Sequence, residues 1–195
     1  RLGLRMITIG QATRELGWDP SNEVRSGGRL TELGVRMISE MNQSGILIDL
    51  AHSNDPCALD IIDISQNPVV DTHSGPRALS PGELRAIPDE VMRAMSKQGG
   101  MLGISPPISR PPGEAPYETI DSDEMARTLK QLHYAVDVMG IEAVGIGTHF
   151  STAIMPALTD ALLDDGFSEA DTAAIMGGNF LRVLRQVLPT KETTA

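Results

Sequence analysis

The feature that most constrains the fold is an alternation along the whole chain. Short, apolar, β-branched segments are separated by longer stretches with helical periodicity. The strand-like segments are Leu4–Ile9, Ile46–Leu50, Val69 to His73, Met101–Ile104 and Ala143–Gly147. Between the first two, Thr31 reads as an N-cap, Leu33, Met37, Ile38 and Met41 form one helical face, and Gly45 stops the helix. The next helix opens on Asp55 as cap with Pro56 at the first helical position, turns Leu59 and Ile62 inward with Ile61 beside them, and ends before Pro68. A third follows Pro88 through Val91, Met92 and Met95 to Gly99-Gly100. The longest, Asp121–Met139, repeats Met125, Leu129, Leu132, Val136 and Met139 at alternating four- and three-residue steps before Gly140.

Strands that alternate with helices of this length imply βαβ units and a parallel sheet. An open, doubly wound sheet accepts five strands, but its dinucleotide-binding form needs a GxGxxG after the first strand, and the sequence has none. A (β/α)8 barrel needs about 250 residues. The chain therefore reads as α/β, a single domain over 1–195 made of about the last five β/α units of a TIM-type barrel plus C-terminal helices. Those helices are Ala157–Leu163, a segment opened by Ser168-x-x-Asp171, and Asn179–Leu188 closed by Pro189. The proline-rich stretch Pro106–Pro116 is a loop over one end of the fold, either bordering a cleft or lying on plain surface.

A formal charge of −10 argues against nucleic acid as a partner, because nothing basic would neutralise phosphates. No apolar run approaches the ~20 residues of a membrane-spanning helix. Cys57 is the single cysteine, which excludes an internal disulfide and a CxxC metal site, and is compatible with the cytoplasm. The chain begins at Arg1 without an initiator methionine, so it is read as a processed product or a fragment, and the compartment stays open.

Three of the four histidines fall in one kind of place. His52 follows ILIDLA, His73 follows VVDT, and His149 follows AVGIGT, each at the carboxyl end of a strand segment. In a parallel barrel those ends form the catalytic face, so the three imidazoles can converge. Neutral imidazole suits Zn²⁺, and side chains on neighbouring strands, ~4.8 Å apart, can share an ion. His133 lies beside the apolar stripe of the long helix and reads as a solvated residue.

The segments MNQSGILIDLAHS, PVVDTHSGPRAL, IPDEVMRAMSKQGG, GIEAVGIGTHF and GGNFLRVLRQV together resemble the membrane dipeptidase (renal dipeptidase) family of zinc peptidases. The resemblance covers nearly the whole chain and implies a barrel of the metal-dependent hydrolase kind. It implies two zinc ions and cleavage of a dipeptide by a hydroxide held between them. It makes His52 and His73 the histidines that bind the second zinc. Arg85 matches an arginine that holds the substrate's terminal carboxylate, with one residue inserted between His73 and Pro88; Arg77 is the nearer alternative. A homodimer is a further expectation.

The sequence departs from the family pattern in three places. The family's His-x-Asp pair and bridging glutamate belong upstream of Arg1. Gln11 stands where the family has a histidine that helps bind the scissile group, and it can still donate a hydrogen bond. His149 stands where the family has an aspartate that handles the water's proton, and Ser151 replaces a second acidic residue. His149 is then a replacement base or extra ligand. The other readings are a catalytically impaired or non-catalytic barrel, or a metal-dependent hydrolase of another amide or lactam.

Overall fold

Five short strands pair in parallel in strict chain order: β1 (Met6–Thr8), β2 (Leu47–Asp49), β3 (Val70–Ser74), β4 (Met101–Ile104) and β5 (Val144–Ile146). A doubly wound sheet reverses its order at a switch point, whereas consecutive order builds the wall of a barrel. The computed structural model describes residues 3–11, 13–23, 25–107, 119–148 and 152–188, and within these the sheet is an arc with β1 and β5 at its edges.

The crossover helices are α1 (Glu32–Ser44), α2 (Asp55–Ile64), α3 (Asp89–Lys97) and α4 (Ser122–Met139). Each begins and ends for a local reason. Thr31 accepts from Gly34 N at the start of α1, and Gly45 leaves it in the left-handed region at φ 62°. Asp121 and Glu124 form a reciprocal capping box on α4. After β5 come α5 (Met155–Asp164), α6 (Glu169–Ala173), capped by Ser168, a π-type turn at Ala174–Gly178, and α7 (Asn179–Val187).

Side chains alternate across a strand, so each strand serves two layers. On one face Ile48, Leu102 and Val144 pack with Ile38, Ile61, Met92 and Leu132 from the crossover helices. On the other, Met6, Leu47, Val70 and Met101 meet Phe180, Val183, Leu184 and Val187 of α7. That second layer lies at the amino ends of the strands. One step toward the carboxyl ends, the same face turns polar, with Thr8 and Thr72 both donating to Asp49.

Several helix details differ from the sequence expectation. The cap of α2 is Asn54, which accepts from Cys57 N, and Pro56 sits one place further in. Cys57 and Ile61 are its deepest residues, while Leu59 and Ile62 are only partly covered. On α1, Leu33 and Met37 are exposed, and Gly34, Ile38 and Met41 are buried, facing β2 and α2. On α4 the buried stripe is Glu124, Thr128, Gln131, Leu132, Ala135 and Met139. It is rotated toward polar residues that apolar periodicity alone does not mark.

Candidate metal and substrate site

His52 and His73 meet above the carboxyl ends of β2 and β3. Their Nε2 atoms lie 3.1 Å apart, with ring centroids separated by 5.1 Å and planes at 64°. Two nitrogens bound to one tetrahedral zinc at ~2.0–2.1 Å stand about 3.3–3.4 Å apart, so the pair is set as two ligands of a single ion would be. His52 reaches this position through a left-handed backbone, φ 72°, which is costly for a residue with a Cβ. Its carbonyl accepts from Ser21 N at 2.6 Å. A Cβ on Gly10 would lie 2.6 Å from the His52 carbonyl carbon, so only glycine allows the chain after β1 to press against this turn.

His73 is aimed by its strand. The β3–β4 register slips between Asp71 and Ser74, a bulge of the kind that redirects a side chain near a site. The His73 ring is then fixed by a relay from the polar layer. Asp49 is fully buried and accepts four hydrogen bonds: from Thr8 Oγ1 at 2.6 Å, Thr72 Oγ1 at 2.8 Å, Thr72 N at 2.9 Å and Ala51 N at 3.1 Å. Thr72 Oγ1 also contacts His73 Nδ1 at 2.7 Å. A hydroxyl has one proton, and Thr72 gives it to the Asp49 carboxylate. Its oxygen therefore accepts from His73 Nδ1–H, and the His73 Nε2 lone pair faces His52. A histidine oriented through its second nitrogen is the usual state of a metal ligand.

The charges agree with that role. Burial, then the positive charge of Arg85, lowers His52 from its ordinary value, against the opposing pull of Asp49, so its imidazole is neutral at pH 7. Asp71, wholly buried, is pushed up to about 7 by burial and then by the Asp49 carboxylate, against the hydrogen bonds from Ser74 Oγ.

Beside His73 opens a cavity of about 310 Å³, lined among others by Ser74, Gly75, Glu83, Arg85 and Gln131. Arg85 is a third exposed and rests loosely on Glu83, 3.5 Å away. Arg77, the alternative carboxylate binder, faces elsewhere. Its guanidinium makes two hydrogen bonds to Asp55, at 2.5 and 2.7 Å, and a third to the Ala86 carbonyl. It lines a larger cavity of about 590 Å³ that contains neither histidine. The structure thus joins His52, His73 and Arg85 and leaves Arg77 apart.

Gln11 lies just beyond β1, exposed, and lines neither cavity. His149 and Ser151 lie outside the described residues, as does most of the proline-rich stretch, of which Pro106 and Pro107 line the smaller cavity. His133 is exposed on α4, where it pairs with Asp165 and stacks on Phe167. Sequence reasoning passed over Asp49, Thr72 and Gln131. A carboxylate inside the apolar run ILIDL was the available signal for the first. Among the described residues no cluster of three or more His, Cys, Asp or Glu forms a full metal cage, so the two histidines fit as part of a ligand set.

A consecutive parallel α/β arc with convergent imidazoles at the carboxyl ends of its strands has the architecture of the metal-dependent hydrolase barrels. The comparisons make the class specific. The chain matches the profile of the membrane dipeptidase family (peptidase family M19) over residues 1–195. It is 29% identical over 202 residues to Dipeptidase tcpJ of Claviceps purpurea, covering 96% of this chain and 45% of that one. It is 30% identical over 177 residues to Dipeptidase 3 of Mus musculus, covering 84% of this chain and 34% of that one. The chain therefore spans less than half the length of these relatives. Among solved structures it resembles the probable dipeptidase PvdM from Pseudomonas aeruginosa, with TM-score 0.80, 22% identity, and coverage of 95% of this chain and 63% of that one. It also resembles a metallo peptidase from Rhodobacter sphaeroides liganded with a phosphinate mimic of L-Ala-D-Ala, with TM-score 0.77, 23% identity, and coverage of 95% and 56%. The chain belongs to the membrane dipeptidase family, whose members are metallopeptidases.

Proposed function

We propose that residues 1–195 are part of one barrel domain that hydrolyses dipeptides with zinc, His52 and His73 holding one of two ions. The observation that carries this is the approach of the two Nε2 atoms to 3.1 Å, with the His73 lone pair turned toward His52 by Thr72 and Asp49. Bound zinc supplies Lewis acidity toward a carbonyl oxygen and lowers the pKa of water. Arg85, in the same cavity as His73, binds the substrate's terminal carboxylate through the planar fork of its guanidinium. Gln11 offers a hydrogen bond to the scissile group, and His149 carries the proton to the leaving amine. A complete two-metal centre needs the further ligands that the family pattern puts on earlier strands. The dipeptide assignment draws on the names of the relatives and on the dipeptide mimic in the Rhodobacter structure.

The test is zinc content and dipeptide turnover of the purified protein beside His52→Ala with His73→Ala, and Arg85→Met. The paired histidine change abolishes zinc at that position and turnover with it. Arg85→Met keeps its zinc and raises KM about tenfold or more, the value of a charge-assisted hydrogen bond. Zinc retained in full after loss of both histidines sinks the metal assignment. A second reading, a barrel that binds metal without turnover, is favoured by Gln11 and His149 standing in place of the family's histidine and aspartate. Recovery of turnover in His149→Asp supports it.

A further inference from the structure

Among the described residues the Arg85 side chain has one loose partner, Glu83 at 3.5 Å. Its place in the cavity beside His73 is therefore set by the backbone that carries it. That backbone is a closed loop. Ile87 N donates to the Gly75 carbonyl at 3.0 Å and Arg77 N to the Ile87 carbonyl at 2.9 Å, so Pro76 and Ile87 pair as a short parallel bridge. Inside it, turns close from Pro76 to Leu79, Arg77 to Ser80, Ser80 to Glu83 and Glu83 to Ala86. Arg85 projects from the last of these turns. The Arg77 guanidinium reaches out of the loop in two directions. Nη1 and Nη2 donate to the two carboxylate oxygens of Asp55 at 2.5 and 2.7 Å, and Nε donates to the Ala86 carbonyl at 2.9 Å. Ala86 adjoins Arg85, and Asp55 opens α2 three residues beyond His52. One side chain thus ties the segment bearing the carboxylate arm to the segment bearing a metal-site histidine. Neither segment needs this clasp for its own closure, since Asn54 caps α2 and the Ile87 bonds close the loop. A forked guanidinium–carboxylate contact fixes direction as well as distance.

We infer that Arg77, clasped to Asp55, is a positioning residue that holds the Arg85 guanidinium at a fixed place relative to His52 and His73. The inference rests on the dipeptide reading above, in which Arg85 binds the substrate's terminal carboxylate. On that reading the two ends of the substrate are held by different segments, the metal end at the carboxyl ends of β2 and β3 and the carboxylate end on the loop before α3. A small error in their separation weakens the carboxylate contact, because a planar fork tolerates little displacement. Arg77 uses its donors inside the protein and acts through Arg85.

Calorimetry on the zinc-loaded protein compares a phosphinate dipeptide mimic with its C-terminal carboxamide, and the ratio of the two dissociation constants is the readout. Both ligands report the same folded fraction, so a variant that is merely less stable keeps the wild-type ratio. In wild type the carboxylate form binds about tenfold or more tightly, the value of a charge-assisted hydrogen bond. Arg77→Met and Asp55→Ala each lower that preference by about three- to tenfold, within the range of coupled neighbours. The two changes remove opposite charges, so charge acting at a distance would move the preference in opposite directions. With Arg85→Met already in place, neither change has a further effect. Opposite shifts, an unchanged ratio in either variant, or an undiminished effect after Arg85→Met each overturn the inference. A wild-type ratio near one, or a ratio that Arg85→Met leaves intact, overturns the dipeptide reading itself.

Discussion

Behind the sheet, Ile48, Leu102 and Val144 disappear among the apolar side chains Ile38, Ile61, Met92 and Leu132 of the crossover helices. On the opposite face the same strands change character within two residues, from the apolar row Met6, Leu47, Val70 and Met101 to the polar row Thr8, Asp49 and Thr72. The helix-facing layer is non-directional and stabilises by area. The polar row is directional: every bond has a defined donor and acceptor, and its product is the orientation of His73. The comparison teaches that stability and function are divided between the faces of one strand, not between separate strands.

Breaking the apolar side has the largest effect. Leu102 is wholly buried on β4, and Leu102→Ala lowers the unfolding free energy by about 2–5 kcal/mol. Urea denaturation measures the loss, while the zinc affinity of the folded fraction stays at the wild-type value. A parallel drop in affinity would show that the two faces are not independent. Disturbing the polar side is milder and of opposite kind. Thr72→Val keeps the shape and removes the hydroxyl between Asp49 and His73. Zinc affinity, read by chelator competition, falls about tenfold, as expected when an outer partner of a ligand is lost. Unfolding changes by only about 1 kcal/mol.

The smallest effect sharpens the contrast at the rim. Burial works to raise the Asp19 carboxyl, but hydrogen bonds from Ser26 and Arg14 and the Arg14 charge outweigh it and hold it below the usual range. A carboxyl lowered in the folded state binds fewer protons there than in the unfolded chain. Its stabilisation is present above the unfolded value near ~3.9 and is lost as pH falls through the folded value. Asp19→Asn therefore lowers the urea midpoint slightly at pH 7 and flattens its decline in acid. An unchanged acid limb would show that the Arg14 pair contributes nothing measurable.

Much of the scaffold was legible because its signals are local. Thr31, Gly45, Asp121 and the strand runs act through bonds within a few residues of themselves, so their patterns identify them. Where signals competed, the reading slipped. Asn54, Asp55 and Pro56 are all suited to a helix start, and only the bond to Cys57 N selects Asn54. On α4 a regular apolar spacing masked the true inward face, which carries Glu124, Thr128 and Gln131 beside Leu132, Ala135 and Met139.

The sequence by itself determined that strands and helices alternate, that the sheet is parallel, and that histidines stand at strand ends. These follow from periodicity and chain order. Tertiary structure alone decided that His52 and His73 face each other, that Arg85 and not Arg77 shares a cavity with His73, and that Asp49 and Thr72 choose the tautomer of His73. The reason is that distance and direction between residues far apart in sequence depend on register, bulges and packing. A side-chain alphabet encodes those only through the fold it produces.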